Sequence, residues 1–143
     1  MATLSAFLSQ NATPIVGITC VVSDRFKDPK TGEPASWEIR TITIREEEAL
    51  RKECTKRVPV PGRRGQFQKD TDLDMYHGKL AVACTASPDL HNKELQDSYG
   101  AMDAETLLKT MLTPGEYVSY LEKINEVTGY DKSLQEEVDE AKN

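Results

Sequence analysis

The chain has 143 residues, of which 38% are hydrophobic and 29% charged, and its formal net charge is -6. This length suits one domain, and the acidic balance argues against nucleic acid as the main partner. We predict a single α+β domain over residues 1–130, followed by an acidic, weakly structured tail over residues 131–143.

The cysteine pattern and the N-terminus predict the compartment. Cys20, Cys54 and Cys84 are widely spaced and form no Cys-x-x-Cys pair, so neither a disulfide framework nor a zinc motif is indicated. Residues 1–10 contain no basic residue and no apolar core of a signal peptide, and no segment reaches the roughly eighteen apolar residues of a membrane span. We expect a cytoplasmic protein without membrane contact.

The first third of the chain predicts a short helical turn and a β-hairpin. Leu4 to Leu8 carries apolar residues at helical spacing over one turn. Ile15 to Phe26 is dense in β-branched residues, and Trp37 to Ile44 alternates, with the turn formers of Lys27 to Pro34 between them. Apolar residues on both faces of the second strand predict that this small antiparallel sheet lies against helices.

Two helices are predicted in the middle of the chain. The first, over Thr43 to Cys54, begins with a possible capping box to Glu46 and is mostly solvent-facing. The second, over Thr71 to Ala86, has its cap at Thr71 or Asp72. Its predicted apolar face consists of Leu73, Tyr76, Leu80, Ala83 and Cys84.

The segment between these helices, residues 55–69, has a different composition. It contains two prolines, two glycines, no acid, and five basic residues: Lys56, Arg57, Arg63, Arg64 and Lys69. We predict a mobile, positively charged loop. It is either a contact for phosphate or an acidic partner, or a solvated connection, and Arg63 and Arg64 are its candidate contact residues.

No motif in the sequence predicts catalysis, a cofactor or a metal. An EF-hand-like run of alternating acids opens the second central helix, but Met75 and Ala81 occupy the positions that require glycine and glutamate. His77 and His91 have no acid placed to orient them, and neither a nucleophile motif nor a glycine-rich phosphate loop is present. We predict a protein that is not an enzyme.

The last third predicts a short helix over Leu90 to Gly100 and then a tight helical hairpin. Its first helix, capped by Asp103, carries apolar residues at helical spacing up to Leu112. The second helix starts at once with Thr113-Pro114-Gly115-Glu116, a capping box with proline at the first helical position, and ends at Gly129. The two apolar stripes must face each other or share a third element.

Because no catalytic motif is present, binding to another protein is the remaining kind of function. Aromatic and methionine side chains, which are enriched in protein interfaces, concentrate in this last third. These side chains are either interface residues or the core of a small helical domain, with Tyr117 or Tyr120 as the candidate for exposure. The candidate partner-binding residues are Tyr99, Met111, Tyr117, Tyr120, Arg63 and Arg64.

An ordered set of short motifs resembles the XkdN-like family of phage tail assembly chaperones. In the last third the set comprises Leu95-Gln-Asp-Ser-Tyr-Gly100, Leu107-Leu108, Met111-Leu112, Pro114-Gly-Glu-Tyr117, Leu121 and Gly129. Earlier members are Leu4 with Phe7-Leu8, Val22-Ser-Asp-Arg-Phe26, Ile39-Arg-Thr-Ile42, Arg51-Lys-Glu-Cys-Thr55 and Asp70-Thr-Asp72. The resemblance spans Leu4 to Asp131.

This resemblance implies a non-enzymatic cytoplasmic chaperone of a phage or prophage in its bacterial host. Such a chaperone binds the long helical tape measure protein, keeps it soluble during tail morphogenesis, and is absent from the mature virion. Other tail proteins and self-association are possible further contacts. The alternative is a nucleic-acid-binding accessory protein that uses the basic residues of segment 55–69.

Overall fold

Two small antiparallel sheets and five α-helices make up residues 3–129, the part of the chain described by the structure, which is a computed structural model. In chain order the elements are a 3₁₀ turn (Leu4–Phe7), β1 (Ile18–Cys20), β2 (Trp37–Ile39), α1 (Ile44–Glu53), β3 (Thr55–Pro59), β4 (Phe67–Thr71), α2 (Leu73–Cys84), β5 (Thr85–Ser87), α3 (Lys93–Ser98), α4 (Ala104–Met111) and α5 (Pro114–Thr128). The predicted α+β class and the early helical turn are confirmed. The predicted tail lies outside the described residues.

The first sheet has the strand order β1-β2-β5. The predicted hairpin is confirmed, because β1 and β2 are antiparallel with Cys20 opposite Trp37, although both strands are shorter than predicted. The third strand, β5, was predicted as the end of a helix, and that prediction is wrong. Helix α2 ends at Cys84, and Thr85 pairs with Ile39 at the free edge of β2. Long-range pairing therefore overrides the local helical pattern at this point.

Gly17, just before β1, allows the chain to pass directly against β2. A Cβ atom at this position would lie 2.1 Å from the carbonyl oxygen of Ile39, a backbone atom that has no freedom to rotate away. Gly115, in the first turn of α5, is the opposite case because a Cβ atom there would meet open space. The first glycine is required by packing, whereas the second is not.

The second sheet is a two-stranded ribbon over residues 55–71, which we call the arm. Strands β3 and β4 pair antiparallel over five positions, from Thr55 opposite Thr71 to Pro59 opposite Phe67. The prediction of a mobile loop over 55–69 is therefore wrong. Most side chains of the ribbon are exposed on both faces, so no alternation of apolar residues reveals the strands in the sequence. Gly62 and Gly65, each with φ of 75°, lie in the turn at the tip.

The predicted N-terminal caps of four helices and the predicted end of α5 are confirmed by their hydrogen bonds. The capping boxes at Thr43 and Thr113 are both formed, and the side chains of Asp72 and Asp103 accept from backbone amides three residues on. Gly129 ends α5 in the left-handed conformation with φ of 88°. These local interactions fix where each helix starts or stops.

The predicted helical hairpin is confirmed as α4 and α5, and both helices pack on α2. The shared third element expected from the two apolar stripes is therefore α2. Leu107 and Leu108 of α4 and Ile124 of α5 are fully buried in this layer. None of the helices within residues 3–129 is long and apolar enough to cross a membrane.

Trp37 joins the first sheet to the helical layer. Its ring centroid lies 5.9 Å from that of Phe26 and 5.2 Å from that of Tyr120, the latter in an edge-to-face arrangement. The Thr85 hydroxyl donates to the Ala81 carbonyl oxygen at 2.7 Å, so its bond to Tyr120 is donated by the tyrosine hydroxyl. Trp37 and Tyr120 thus connect β2 to α5 within the core.

An ion pair attaches the segment after β1 to the helical hairpin. The Arg25 guanidinium bonds the Glu116 carboxylate and also donates to the Met111 carbonyl oxygen at 2.9 Å. Hydrogen bonds from Arg25, then from Ser23 and the Thr113 amide, lower the pKa of Glu116 to about 2. The charged form of Glu116 is therefore stabilised in the folded protein.

This depressed pKa predicts a defined pH dependence of stability. Because the folded-state pKa of Glu116 is lower than its ordinary value of 4.5, its contribution is present above that value and is lost as the pH falls toward about 2. The thermal midpoint of Glu116→Gln is expected to be lower than wild type at neutral pH and to approach it near pH 2. Thermal melts across pH 2–7 measure this, with Glu122→Gln, an exposed glutamate of the same helix, as the control. Parallel curves for wild type and Glu116→Gln would contradict the assignment.

Candidate partner-binding surface

Two of the six residues predicted to bind a partner are buried. Met111 is buried in the core, and Tyr120 is only 1% exposed between Trp37 and Thr85. The expectation that Tyr120 could be the exposed tyrosine is therefore wrong, since its ring fills the junction of sheet and helices and its hydroxyl already has a partner. In this conformation both residues support the fold and present no surface.

The other four predicted residues lie on three different parts of the chain. Tyr117 is half-buried, and among the described residues its buried hydroxyl has no hydrogen-bond partner; burial, and then Asp74, raise its pKa. Tyr99 is exposed after α3. Arg63 and Arg64 are exposed at the tip of the arm. With Met111 and Tyr120 buried, the six residues do not form one continuous exposed surface.

An open concavity with apolar residues in its lining lies between α1, α2 and α5, and we call it the α1–α2 groove. Its volume is about 350 Å³, and it is lined by Arg51, Thr71, Leu73, Tyr76, His77, Leu80 and Asn125. Leu80 is buried beneath it, and Leu73 stands at its rim with 60% of its surface exposed. An exposed leucine above a buried one is the arrangement of an apolar binding groove.

A hydrogen-bonded cluster fixes the wall of this groove. The Tyr76 hydroxyl donates to the Glu47 carboxylate at 2.6 Å, and Arg51, one turn further along α1, bonds the same carboxylate. Glu47 itself is buried. The cluster ties α1 to α2, so the groove is held open by fixed side chains and its shape is set before any partner arrives.

A smaller recess of about 160 Å³ extends the apolar surface toward the end of α5. It shares Leu80 with the α1–α2 groove and Glu47 with the wall of that groove. Residues 41–44 and Thr128 also line it. Ile44, the first residue of α1, is 78% exposed there. Apolar surface therefore runs along α1 and α2 beyond the groove itself.

A larger concavity of about 540 Å³ involves a different set of residues, from Leu50, α2, the loop after β5 and the start of α4. The Lys79 ammonium lies in it, 3.0 Å from a Glu105 oxygen and 3.3 Å from a Glu53 oxygen. Covering this concavity would desolvate an ion-pair network that is already complete. Met102, on its rim, is 94% exposed.

The three cysteine thiols are held in the protonated form by burial. Burial raises the pKa of the Cys84 thiol to about 11 and also raises the pKa of Cys54 and of Cys20, so all three favour the protonated form. In the part of the chain that the structure describes, neither histidine side chain bonds an acid, and no three His, Cys, Asp or Glu residues group as metal ligands.

The sequence predicts Leu73 on the apolar face of α2, and the structure places it at the rim of the groove. The predicted stripe followed Leu73, Tyr76 and Leu80, whereas the buried face of α2 is centred on Leu80, Ala81 and Cys84. The buried face is therefore rotated around the helix relative to the predicted apolar stripe, and the first residues of that stripe remain accessible to a partner. The signal in the sequence was the stripe itself, since an apolar residue in the first turn of an amphipathic helix often lies beyond the packed layer.

The family model described as phage XkdN-like tail assembly chaperone protein matches residues 4–142. The chain therefore belongs to this family of phage tail assembly chaperones, and the predicted resemblance is confirmed. Among individual proteins, it is 32% identical over 141 residues to the phage-like element PBSX protein XkdN of Bacillus subtilis (strain 168), and 31% identical over 141 residues to YqbN of the same strain. Each alignment covers 98% of this chain and 93% of the relative.

The fold is also similar to a solved structure. The crystal structure of YqbN superposes with a TM-score of 0.75 at 25% sequence identity, covering 90% of this chain and 98% of that one. Helices, sheets and their connections are thus shared at the level of the whole domain.

Proposed function

We propose that this chaperone acts without catalysis by binding the tape measure protein, and that it holds an amphipathic helix of that protein in the α1–α2 groove. It would do so in the host cytoplasm while the tail assembles, and it would be absent from the finished particle. The observation that carries the proposal is exposed Leu73 beside a pre-shaped apolar groove in a member of a tail assembly chaperone family.

A long helical partner suits this groove. Helices bind to such surfaces by inserting apolar side chains spaced three and four residues apart, with polar residues at the edges. Leu73 and Tyr76 offer apolar surface along α2, above buried Leu80, and Ile44 continues it on α1. Covering this surface would protect the partner's apolar stripe from aggregation and would bury the chaperone's own exposed leucine and isoleucine.

The test is co-expression with the tape measure protein of the same phage or prophage. We expect wild type to keep the tape measure protein in the soluble fraction and to co-elute with it. Leu73→Asp is expected to weaken the complex by at least about 2 kcal/mol, the loss typical of a central interface residue. The variant should fold, because an acid in the first turn of α2 favours the helix dipole. Co-elution and thermal midpoint are measured together.

Met102→Asp is the matched control. It makes the same change of charge at an apolar residue that is also exposed, but on the rim of the larger concavity. We expect it to bind the tape measure protein like wild type. Loss of co-elution in Met102→Asp with retention in Leu73→Asp would move the binding surface to the larger concavity. A tape measure protein that stays insoluble beside folded wild type would overturn the proposed function.

A further inference from the structure

A second concavity, which we call the basic cleft, lies where the arm meets α1. It has a volume of about 410 Å³ and is lined by Glu48, Arg51, Lys52, Thr55, Lys56, Arg57, Lys69 and Thr71. Five of these eight side chains are cationic and one is acidic. The cleft shares Arg51 and Thr71 with the α1–α2 groove, so the two sites are continuous.

The charges of the basic cleft are not neutralised from within. Arg51 is paired with Glu47, but across residues 3–129 no carboxylate forms an ion pair with Lys52, Arg57 or Lys69. Arg57 and Lys69 are direct cross-strand partners, so two like charges project side by side from one face of the arm. Such a pair is unfavourable in an isolated ribbon and becomes favourable when an anion lies between the two cations.

The cleft is built on fixed supports. The Thr55 hydroxyl donates to the Arg51 carbonyl oxygen at 2.7 Å and accepts from Thr71 at 2.9 Å, which anchors the base of the arm to α1. The Arg57 guanidinium lies 4.6 Å from the ring centroid of Phe67, a ring that is 52% exposed. Stacking on this ring orients the guanidinium and reduces the entropy lost when it binds an anion.

We propose that the basic cleft binds carboxylate side chains of an acidic segment in the protein partner, next to the apolar helix held by the α1–α2 groove. The identity of the partner rests on the proposed function, whereas the preference for carboxylates rests on the cleft alone. The arm carries five basic residues and one acid, a net of +4, whereas the whole chain carries -6, so the remainder carries -10. The net negative charge of the protein disfavours a long polyanion such as duplex DNA more than a short acidic peptide segment.

Binding of a fluorescein-labelled decaglutamate peptide to the full-length protein at low salt tests this inference without the tape measure protein. We expect Arg57→Gln/Lys69→Gln to weaken binding about tenfold or more, because two charge-assisted contacts are lost. The matched control is Arg63→Gln/Arg64→Gln, which removes the same charge from the same arm but from its exposed tip, outside the cleft. This control is expected to change the affinity by less than about twofold.

Three results would overturn the inference. Equal weakening by the two double variants would reduce it to general charge attraction. Tighter binding of a labelled duplex DNA than of decaglutamate would assign the arm to nucleic acid. A more than tenfold gain in peptide affinity on neutralising Glu136, Glu137, Asp139 and Glu140 in the full chain would assign the cleft to the protein's own acidic end. If decaglutamate still bound but the tape measure protein did not co-elute, only the identity of the partner would be contradicted, and the preference for carboxylates would stand.

Discussion

Replacing Trp37 with alanine is expected to remove about 3–5 kcal/mol from the free energy of unfolding, a range typical of large aromatic residues truncated in a core. Trp37 is 2% exposed, and its ring contacts Phe26 from the strand region and Tyr120 from α5. Its loss opens a cavity between the first sheet and the helices. Because a domain of this size has a total stability of about 5–15 kcal/mol, this loss is at least about a fifth of the total.

Urea denaturation followed by far-UV circular dichroism measures this effect, since the substitution removes the only tryptophan of the chain. Met102→Ala is the control: it truncates a large apolar side chain that is 94% exposed, and we expect a change within about 0.5 kcal/mol. A loss below about 1 kcal/mol for Trp37→Ala would show that the sheet and helices do not depend on this contact.

Gly17→Ala is expected to destabilise the protein by about 1–3 kcal/mol, although it adds a single methyl group. The new Cβ atom would lie 2.1 Å from the Ile39 carbonyl oxygen, so β1 and β2 must separate to accommodate it. The loss should appear as a lower urea midpoint with an unchanged slope, because the surface exposed on unfolding remains the same.

Gly115→Ala adds the same methyl group at a position where the structure has room for it. A methyl group there meets open space in the first turn of α5, and alanine reduces the freedom of the unfolded chain. We expect it to stabilise the protein by about 0.4–1 kcal/mol, opposite in sign to Gly17→Ala. Equal effects of the two substitutions would contradict the close approach of the chain at Gly17.

The helices of the last third could be predicted from sequence because their determinants are local. A capping box such as Thr113 with Glu116, or a C-terminal glycine such as Gly129, is encoded within a few residues and acts on adjacent backbone groups. The hairpin of β1 and β2 was also accessible, since β-branched residues and turn formers alternate along a short segment. These parts of the fold require no information from distant residues.

The remaining parts depend on distant contacts. Thr85 becomes a strand only because Ile39 offers it a free edge, and the helical pattern before it gives no sign of this. The arm has no buried face, so its strands are hidden behind a charged composition that is also typical of loops. The register that places Arg57 opposite Lys69 is visible only once the ribbon is known.

The candidate partner-binding residues stay predictions, and the structure shows which of them are accessible. Interface-type residues were sought among the aromatic side chains of the helical hairpin, and the structure assigns Tyr120 and Met111 of that set to the core. Leu73 was overlooked because periodicity identifies an apolar stripe without identifying which part of the stripe another helix covers. The positive charge of segment 55–69 is visible in the sequence. The cleft is not, because its second wall is α1 and the packing of the arm against α1 cannot be read from the sequence.

The arm joins the rest of the domain at its base, and its tip is an exposed turn closed by the Val60 amide, which donates to the Gln66 carbonyl oxygen at 3.0 Å. Lengthening such a turn costs little, since doubling a flexible loop adds only about 0.6 kcal/mol. A short peptide tag or a single labelled cysteine inserted between Arg63 and Arg64 should therefore leave the groove, the cleft and the core intact. The tip offers an attachment point for a fluorophore with which the binding and release of a partner by this chaperone can be timed.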